Sequence, residues 1–436
     1  MSRSSHILRS LLLALIFILL CLPLIQDKFE FFEETPLNGD IVYPKEDSLT
    51  VDSWFSGSYQ QKKEDVVNDL FGLRNFCVRL NNQVAFSFFK LAKANNVIVG
   101  RENYLYEEKY ITSYMGQDMI SNEKADETLK KLKFISDTLE KMNKQVLLVF
   151  AAGKASFYPE FIPDKYVKVN GQSNYQLMSQ KAKQAGLHVL DVNAWFMAQK
   201  NKTKYPLYPQ YGIHWSEYGS VLVADTLIKT IERLRNIDVP NVYIDSLKVE
   251  QPDGIDYDIA DGMNLLARLK SFDMANVKVG FESDSGKTKP SVLVISDSFY
   301  WGIYDFGISK CFSNHHFWFY NKQVFPESFK TETRVNTLNL MRQIGDHDVI
   351  VLMATESNLA HLGWDFIESA EMVLKNGKLP HSELYHKRVR DLSNYIKEDP
   401  VWRKAAIKNA KKEGVSLEVQ IIREAEWVIE HDEGIY

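Results

Sequence analysis

Ser298 and His214 are the two residues whose types and surroundings could do chemistry. Ser298 stands in Ser296-Asp297-Ser298, a polar triplet that abruptly ends the aliphatic run from Val292 to Ile295, itself opened by Pro290. A run without polar alternation predicts a strand buried on both faces. The triplet therefore sits at a carboxyl-terminal strand end, the edge of an open parallel sheet where loops converge on one crevice. A serine hydroxyl attacks poorly unless a nearby base takes its proton. The candidate base, His214, lies in Tyr211-Gly212-Ile213-His214-Trp215-Ser216-Glu217, just ahead of an apolar stripe at helical spacing over residues 221–234. A histidine at such a loop-to-helix junction can offer one ring nitrogen to a crevice while a partner fixes the other. Ser298 as nucleophile and His214 as general base make this the chemistry of acyl transfer.

In this order, histidine before serine, the two motifs resemble those of the alginate O-acetyltransferase family of the AlgX and AlgJ type, within the wider SGNH hydrolase-like group. Further similar segments are Phe71-Gly72-Leu73-Arg74, Val97-Ile98-Val99-Gly100 with Tyr104-Leu105-Tyr106, Lys154 with Tyr158-Pro159, and Thr355-Glu356. The resemblance implies a polysaccharide acceptor, an acetyl group, and a membrane-bound O-acyltransferase as the probable source of that group. Two positions depart from the family pattern. Gly212 stands where the family has an aspartate two residues before the histidine, and Ser296 stands where it has a glycine. A triad aspartate holds the imidazole in the working tautomer, and its loss lowers turnover by ~10⁴ in the serine-protease case.

Another carboxylate must fill that role if the site is a triad. Asp297, Asp191, Glu217, Glu356 and the cluster from Asp256-Tyr257-Asp258 to Asp261 are the options, and Asp297 is expected to bond its own turn instead. Oxyanion donors would be the Ser298 backbone N–H and the Asn358 amide. Lys154 could assist there or bind an acidic sugar, and Trp215, Tyr300 and Trp301 flank the motifs as surfaces for stacking on a sugar ring. His315-His316 makes no metal site, because adjacent strand residues face opposite ways. Gly286-Lys287-Thr288 lacks the earlier glycine of a phosphate loop, since Phe281 occupies its place. No metal and no cofactor are expected.

The elements that must position these groups alternate along the chain. Strands are predicted at 97–99, 104–106, 145–150, 188–190, 242–244, 291–295, 317–320 and 349–353, with helices at 123–143, 174–185, 221–234 and 335–343. A polar interval separates 244 from 291. Such alternation predicts an α/β domain, an SGNH hydrolase-like parallel sheet flanked by helices, with Lys154, Ser298 and Thr355-Glu356 at one edge.

That domain is assigned to 66–380. Ahead of it come a basic amino end at 1–10 with Arg3 and Arg9, an apolar run at 11–25 read as an uncleaved membrane anchor, and a juxtamembrane linker at 26–65. Basic residues before the run and acidic ones after it place the amino end in the cytoplasm and the body on the extracytoplasmic, periplasmic side. Residues 381–436 read as a C-terminal helical extension, a hairpin opened by Pro400 and broken at Gly414. Cys77 and Cys311, the two cysteines beyond the anchor, either pair or remain thiols. At 436 residues, 25% charged and a net charge of −5, the chain is long enough for one large domain and gives no electrostatic reason to bind nucleic acid. Two other readings use the same residues: an esterase or deacetylase with water as acceptor, and a catalytically silent polysaccharide-binding subunit, which Gly212 favours.

Overall fold

The computed structural model describes residues 3–39, 44–166, 171–327, 332–376 and 383–430. In chain order the strands are β1 (Val97–Val99), β2 (Leu105–Glu107), β3 (Gln145–Ala151), β4 (Val189–Asp191), β5 (Val242–Glu250), β6 (Met274–Phe281), β7 (Ser291–Ser296), β8 (Asn314–Phe319), β9 (Gln323–Phe325) and β10 (Val349–Thr355). Six of them form one sheet in the order β4-β3-β10-β7-β8-β9. All pairs in it are parallel except β8 with the edge strand β9.

Burial on both faces explains the unbroken apolar runs. Leu147, Val149, Val292, Val294, Val351 and Met353 point into one core, closed by the helices Val192–Gln199 and Glu217–Arg235. Their neighbours Leu148, Phe150, Leu293, Ile295 and Leu352 point into a second, closed by Asn122–Glu140, Asn174–Gln184 and Phe366–Asn376. Alternate residues of a strand face opposite ways, so a strand covered twice has no polar position to spare. Parallel register then fixes the functional edge: Thr355 pairs with Ala151 and Met353 with Ser296, bringing the carboxyl ends of β3, β10 and β7 together.

Among the regions that differ from the sequence expectation, 335–343 is not one helix but the short turn Val335–Thr337 followed by the helix Leu340–Asp346. The interval after residue 244 holds β6, which pairs antiparallel with β5 in a separate two-stranded sheet. Residues 51–56 form a helix inside the expected linker, with a capping box between Thr50 and Ser53, and the helix at 58–70 runs across the linker's expected end at 65. The C-terminal segment has three helices rather than a hairpin: Glu383–Glu398 precedes Pro400–Glu413 and Leu417–Glu430, and Ile396, Ala406, Ile421, Ala425 and Ile429 form a core of their own. The boundary set at 380/381 and the final residues lie outside the described residues. The helix Arg3–Phe29 is long and apolar enough to cross a membrane over His6–Phe29. Cys77 is exposed and Cys311 buried, and both are free thiols.

Candidate active site

Ser298 is aimed by the residue before it. Asp297 is fully buried and caps the short turn Ser298–Tyr300, its Oδ1 accepting the Phe299 N–H at 3.1 Å. Its Oδ2 accepts the Thr355 N–H at 2.8 Å, the Thr355 hydroxyl at 2.7 Å and the Asn358 amide at 2.8 Å. One carboxylate thereby ties the end of β7 to the end of β10. Ser298 itself, half-buried, is left at the rim of the sheet.

The loop carrying His214 is held from three sides. The Leu105 N–H donates to Gln210 O at 3.1 Å, the Ala260 N–H donates to Tyr211 O at 3.2 Å, and the Ser216 hydroxyl caps the following helix by accepting the Gly219 N–H at 2.9 Å. From below, the Lys154 ammonium donates to Gln210 O at 2.8 Å and Gly212 O at 2.6 Å. Held this way, the His214 ring lies 4.8 Å from the Phe299 ring, and its Nε2 is 3.0 Å from Ser298 Oγ.

The far nitrogen of the ring meets an acid from elsewhere in the chain. Asp258, in the first turn of the helix Asp258–Gly262, places Oδ2 2.7 Å from His214 Nδ1 and accepts the Ile213 N–H on Oδ1 at 2.8 Å. A carboxylate can only accept, so the ring proton resides on Nδ1, and Nε2 is left to accept from the Ser298 hydroxyl. Gly212 cannot supply this acid. The segment bearing Asp258 runs directly over it, and a Cβ there would meet Ile255 O, Pro209 Cγ at 2.9 Å and the Asp256 carbonyl carbon at 3.0 Å. The space beside residue 212 is filled by the backbone that delivers the replacement.

The other expected site residues have different placements. Glu356 is buried and faces the loops, not the histidine: it accepts the Ser156 hydroxyl at 2.5 Å, the Gly153 N–H at 3.3 Å and the Asn193 amide. Burial raises its carboxyl from 4.5 to about 7, against those hydrogen bonds. Asn358 spends its amide on Asp297 and on Thr355 Oγ1 at 3.1 Å, so it is not aimed at an oxyanion over Ser298. Lys154 is 1% exposed and its ammonium is turned to backbone carbonyls, away from any substrate. Burial lowers it from 10.5 to about 7, while the charges of Asp258 and Asp256 push the other way.

Trp215 and Tyr300 are fully buried, Trp215 against Phe299 and Tyr300 with its hydroxyl 3.0 Å from His315 Nε2. Trp301 packs its ring against Phe317 and Phe325 at 4.9 and 4.7 Å. Trp215 and Tyr300 therefore present no face to a sugar, while Trp301 is partly exposed. Asp191 caps the helix Val192–Gln199, and Glu217 accepts the Val277 N–H at 3.0 Å.

Tyr320 was not singled out by the sequence, and it stands beside Ser298. It follows β8 directly, its N–H donates to Ser296 O at 2.8 Å, and its backbone is in the left-handed region at φ 50°. Burial raises its phenol above the ordinary value and the Asp297 charge adds to this, while contact with the Ser298 hydroxyl and backbone acts in the opposite sense. Tyr320 also borders a cleft of about 1340 Å³ with Asn321, Lys322, His361 and Trp364. The Tyr320 and Trp364 rings meet edge to face at 5.2 Å. The signal that marks Tyr320 is a bulky residue in the left-handed conformation, which Trp364 shares at φ 45°, and it is invisible before folding.

Residues 97–245 match the family model described as SGNH hydrolase-like domain, acetyltransferase AlgX. The match contains Lys154 and His214 and ends before Asp258 and Ser298. A probable alginate O-acetylase AlgJ of Pseudomonas syringae pv. tomato is 22% identical over 174 residues, which are 39% of this chain and 42% of that protein. Among solved structures, the O-acetyltransferase domain of Pseudomonas putida AlgJ has a TM-score of 0.42 at 15% identity, covering 65% of this chain and 100% of that one. Pseudomonas aeruginosa AlgX has a TM-score of 0.42 at 13% identity, covering 64% of this chain and 67% of that one.

Proposed function

We propose, for a chain that is AlgX/AlgJ-like in its SGNH hydrolase-like domain, that it transfers an acetyl group through Ser298 onto hydroxyls of an exported polysaccharide. The observation that carries this is the line from Asp258 through His214 to Ser298, with contacts of 2.7 and 3.0 Å. His214 Nε2 takes the Ser298 proton as Oγ attacks the acetyl carbonyl of the donor. Collapse of the tetrahedral intermediate hands that proton to the departing donor group and leaves acetyl-serine. A sugar hydroxyl then attacks the acetyl-serine, gives its proton to Nε2, and Ser298 leaves with the proton returned. Asp258 stabilises the imidazolium formed twice in this cycle. The Ser298 backbone N–H and the Tyr320 hydroxyl are the donors we assign to the oxyanion.

The half-buried aromatic pair Tyr320 and Trp364, which lines the cleft, takes the sugar-facing role expected of Trp215, Tyr300 and Trp301. The helix Arg3–Phe29 anchors the chain, with the body outside the cytoplasm and the acetyl donor supplied by a membrane-bound O-acyltransferase. The presence of an acid on His214 favours catalysis over a silent binding subunit, a reading that had rested on Gly212.

Purified protein given a chromogenic acetate ester should gain the mass of one acetyl group at Ser298 and discharge it faster when an oligosaccharide acceptor is added. Ser298→Ala should show neither event. Discharge unaffected by any acceptor would favour the esterase, and full polysaccharide acetylation by cells carrying Ser298→Ala would refute both.

A further inference from the structure

The end of the anchor helix is built into the body of the protein. A Cβ on Gly72 would meet Pro23 O at 2.5 Å and Asp27 N at 2.6 Å, so the turn before the helix Arg74–Phe89 lies directly on the end of Arg3–Phe29. The Glu34 carboxylate, just beyond the anchor, accepts the Leu73 N–H and the Asn75 N–H, the latter at 3.0 Å, and so caps the same helix. One face of Arg74–Phe89 is fixed to the domain through buried Phe86 and Asn82, whose amide donates to Met263 O at 2.9 Å.

Its outer face is apolar. Phe76, Leu80, Val84 and Phe88 recur every four residues, drifting by only about 40° per step around the helix, and are 43, 42, 42 and 77% exposed. On the helix Val51–Ser56, which packs against Ser58–Leu70, Trp54 and Phe55 are 51 and 84% exposed. Scattered apolar residues on a surface need no explanation, but a row of large ones beside a spanning helix does.

We propose that this row lies in the headgroup layer of the bilayer, so that Arg74–Phe89 is an interfacial helix holding the active site at a set height over the membrane. The inference rests on the anchoring part of the reading above. Lipid is the occupant because the anchor itself delivers the row to the surface: its last turns touch the start of the helix, and no further molecule is required to bring the two together. Aromatic side chains such as Trp54, Phe55, Phe76 and Phe88 suit that layer, and an amphipathic helix lying in it buries its apolar face to a depth of about 5–10 Å.

The test uses the full chain with Cys21→Ser and Cys77→Ser, reconstituted in phosphatidylcholine vesicles and spin-labelled at one new cysteine. Leu80→Cys and Phe88→Cys report on the row, Leu15→Cys on the anchor, and exposed Glu140→Cys on the body. Labels at 80, 88 and 15 should lose relaxation by a water-soluble nickel chelate and gain it from oxygen, whereas the label at 140 should do the reverse. A label at 15 shielded by lipid while those at 80 and 88 remain open to nickel would overturn the interfacial helix alone. So would labels at 80 and 88 that become shielded only when membrane proteins are added, since the occupant would then be a protein. A label at 15 that stays open to nickel would overturn the anchoring on which the proposal stands. Comparing thermal unfolding of each labelled chain with the unlabelled one ensures that all four are read in the folded state.

Discussion

Replacing Asp258 with asparagine should expose the origin of the triad acid. Asp258 Oδ2 faces His214 Nδ1 at 2.7 Å and Oδ1 accepts the Ile213 N–H at 2.8 Å, so both oxygens are committed as acceptors. An asparagine amide must put its NH₂ against one of these two donors. With the carbonyl kept on Ile213, the NH₂ forces Nδ1 to accept, moves the ring proton to Nε2, and turns a donor toward Ser298. That is the wrong tautomer for a base. In the serine-protease case the same exchange lowers turnover by ~10⁴ with geometry intact, or about 5.4 kcal/mol of barrier at 1.36 kcal/mol per tenfold.

The assay is the rate of Ser298 acetylation by a chromogenic ester in a single turnover, with circular dichroism to establish folding. Adding Gly212→Asp to Asp258→Asn restores an aspartate at the family's position, yet it should not rescue the rate, because a Cβ at 212 would run into Ile255 O and the Asp256 carbonyl carbon. A fall of less than about tenfold in Asp258→Asn would mean that Asp258 does not govern the tautomer. Rescue by Gly212→Asp would refute the steric argument for why the acid comes from another segment.

The remaining predictions concern groups that hold the site. Folding raises the Glu356 carboxyl from 4.5 to about 7, so folding favours its protonated form. Its stabilisation is complete below 4.5 and is lost as pH rises through 7; Glu356→Gln should flatten that fall, which amounts to about 3 kcal/mol, in unfolding curves taken at pH 4.5 and 8. Lys154→Met leaves the Gln210 and Gly212 carbonyls without their buried donor and should cost about 1–3 kcal/mol of stability for each carbonyl left unpaired; a loosened His214 loop should also slow acetylation, read in the same single-turnover assay. Trp364→Ala should raise KM for an oligosaccharide acceptor several-fold, in line with about 0.5–1.5 kcal/mol for an aromatic contact, and leave hydrolysis of a small acetate ester unchanged.

The runs 145–150, 291–295 and 349–353 announced their strands because a strand covered on both faces can tolerate no polar residue, and the structure extends each by only one or two positions. β6 escaped notice for the converse reason. Its residues Asn276 and Lys278 are exposed in a two-stranded sheet covered on one side, so its pattern reads as polar. Ser298 and His214 were legible through their settings, a strand end and a helix start. Asp258 could be named only within a cluster of acids, since choosing among Asp256, Asp258 and Asp261 depends on which face of a five-residue helix meets the imidazole. The aromatic neighbours misled because adjacency along the chain says nothing of direction. Trp215 and Tyr300 follow catalytic candidates in sequence and turn inward in space, whereas Tyr320 and Trp364, remote in sequence, come together at the rim.

Four ionisable residues are buried at this one sheet edge, and their partners separate scaffold from chemistry. Asp297 spends its carboxylate on backbone and hydroxyl donors of β10, Glu356 on the loops after β3 and β4, and Lys154 on the carbonyls under His214. Each burial would be unfavourable unless satisfied, and each is satisfied by tying together two segments at the carboxyl edge of the sheet. Asp256, the fourth, is raised to about 8, by burial first and then by the Glu217 charge. Asp258 is the more exposed of the two aspartates, with a side chain 30% exposed, whereas Asp256 is buried. The two acids therefore divide by environment: one is shut in the core, and the other stands open at the rim, 2.7 Å from His214 Nδ1.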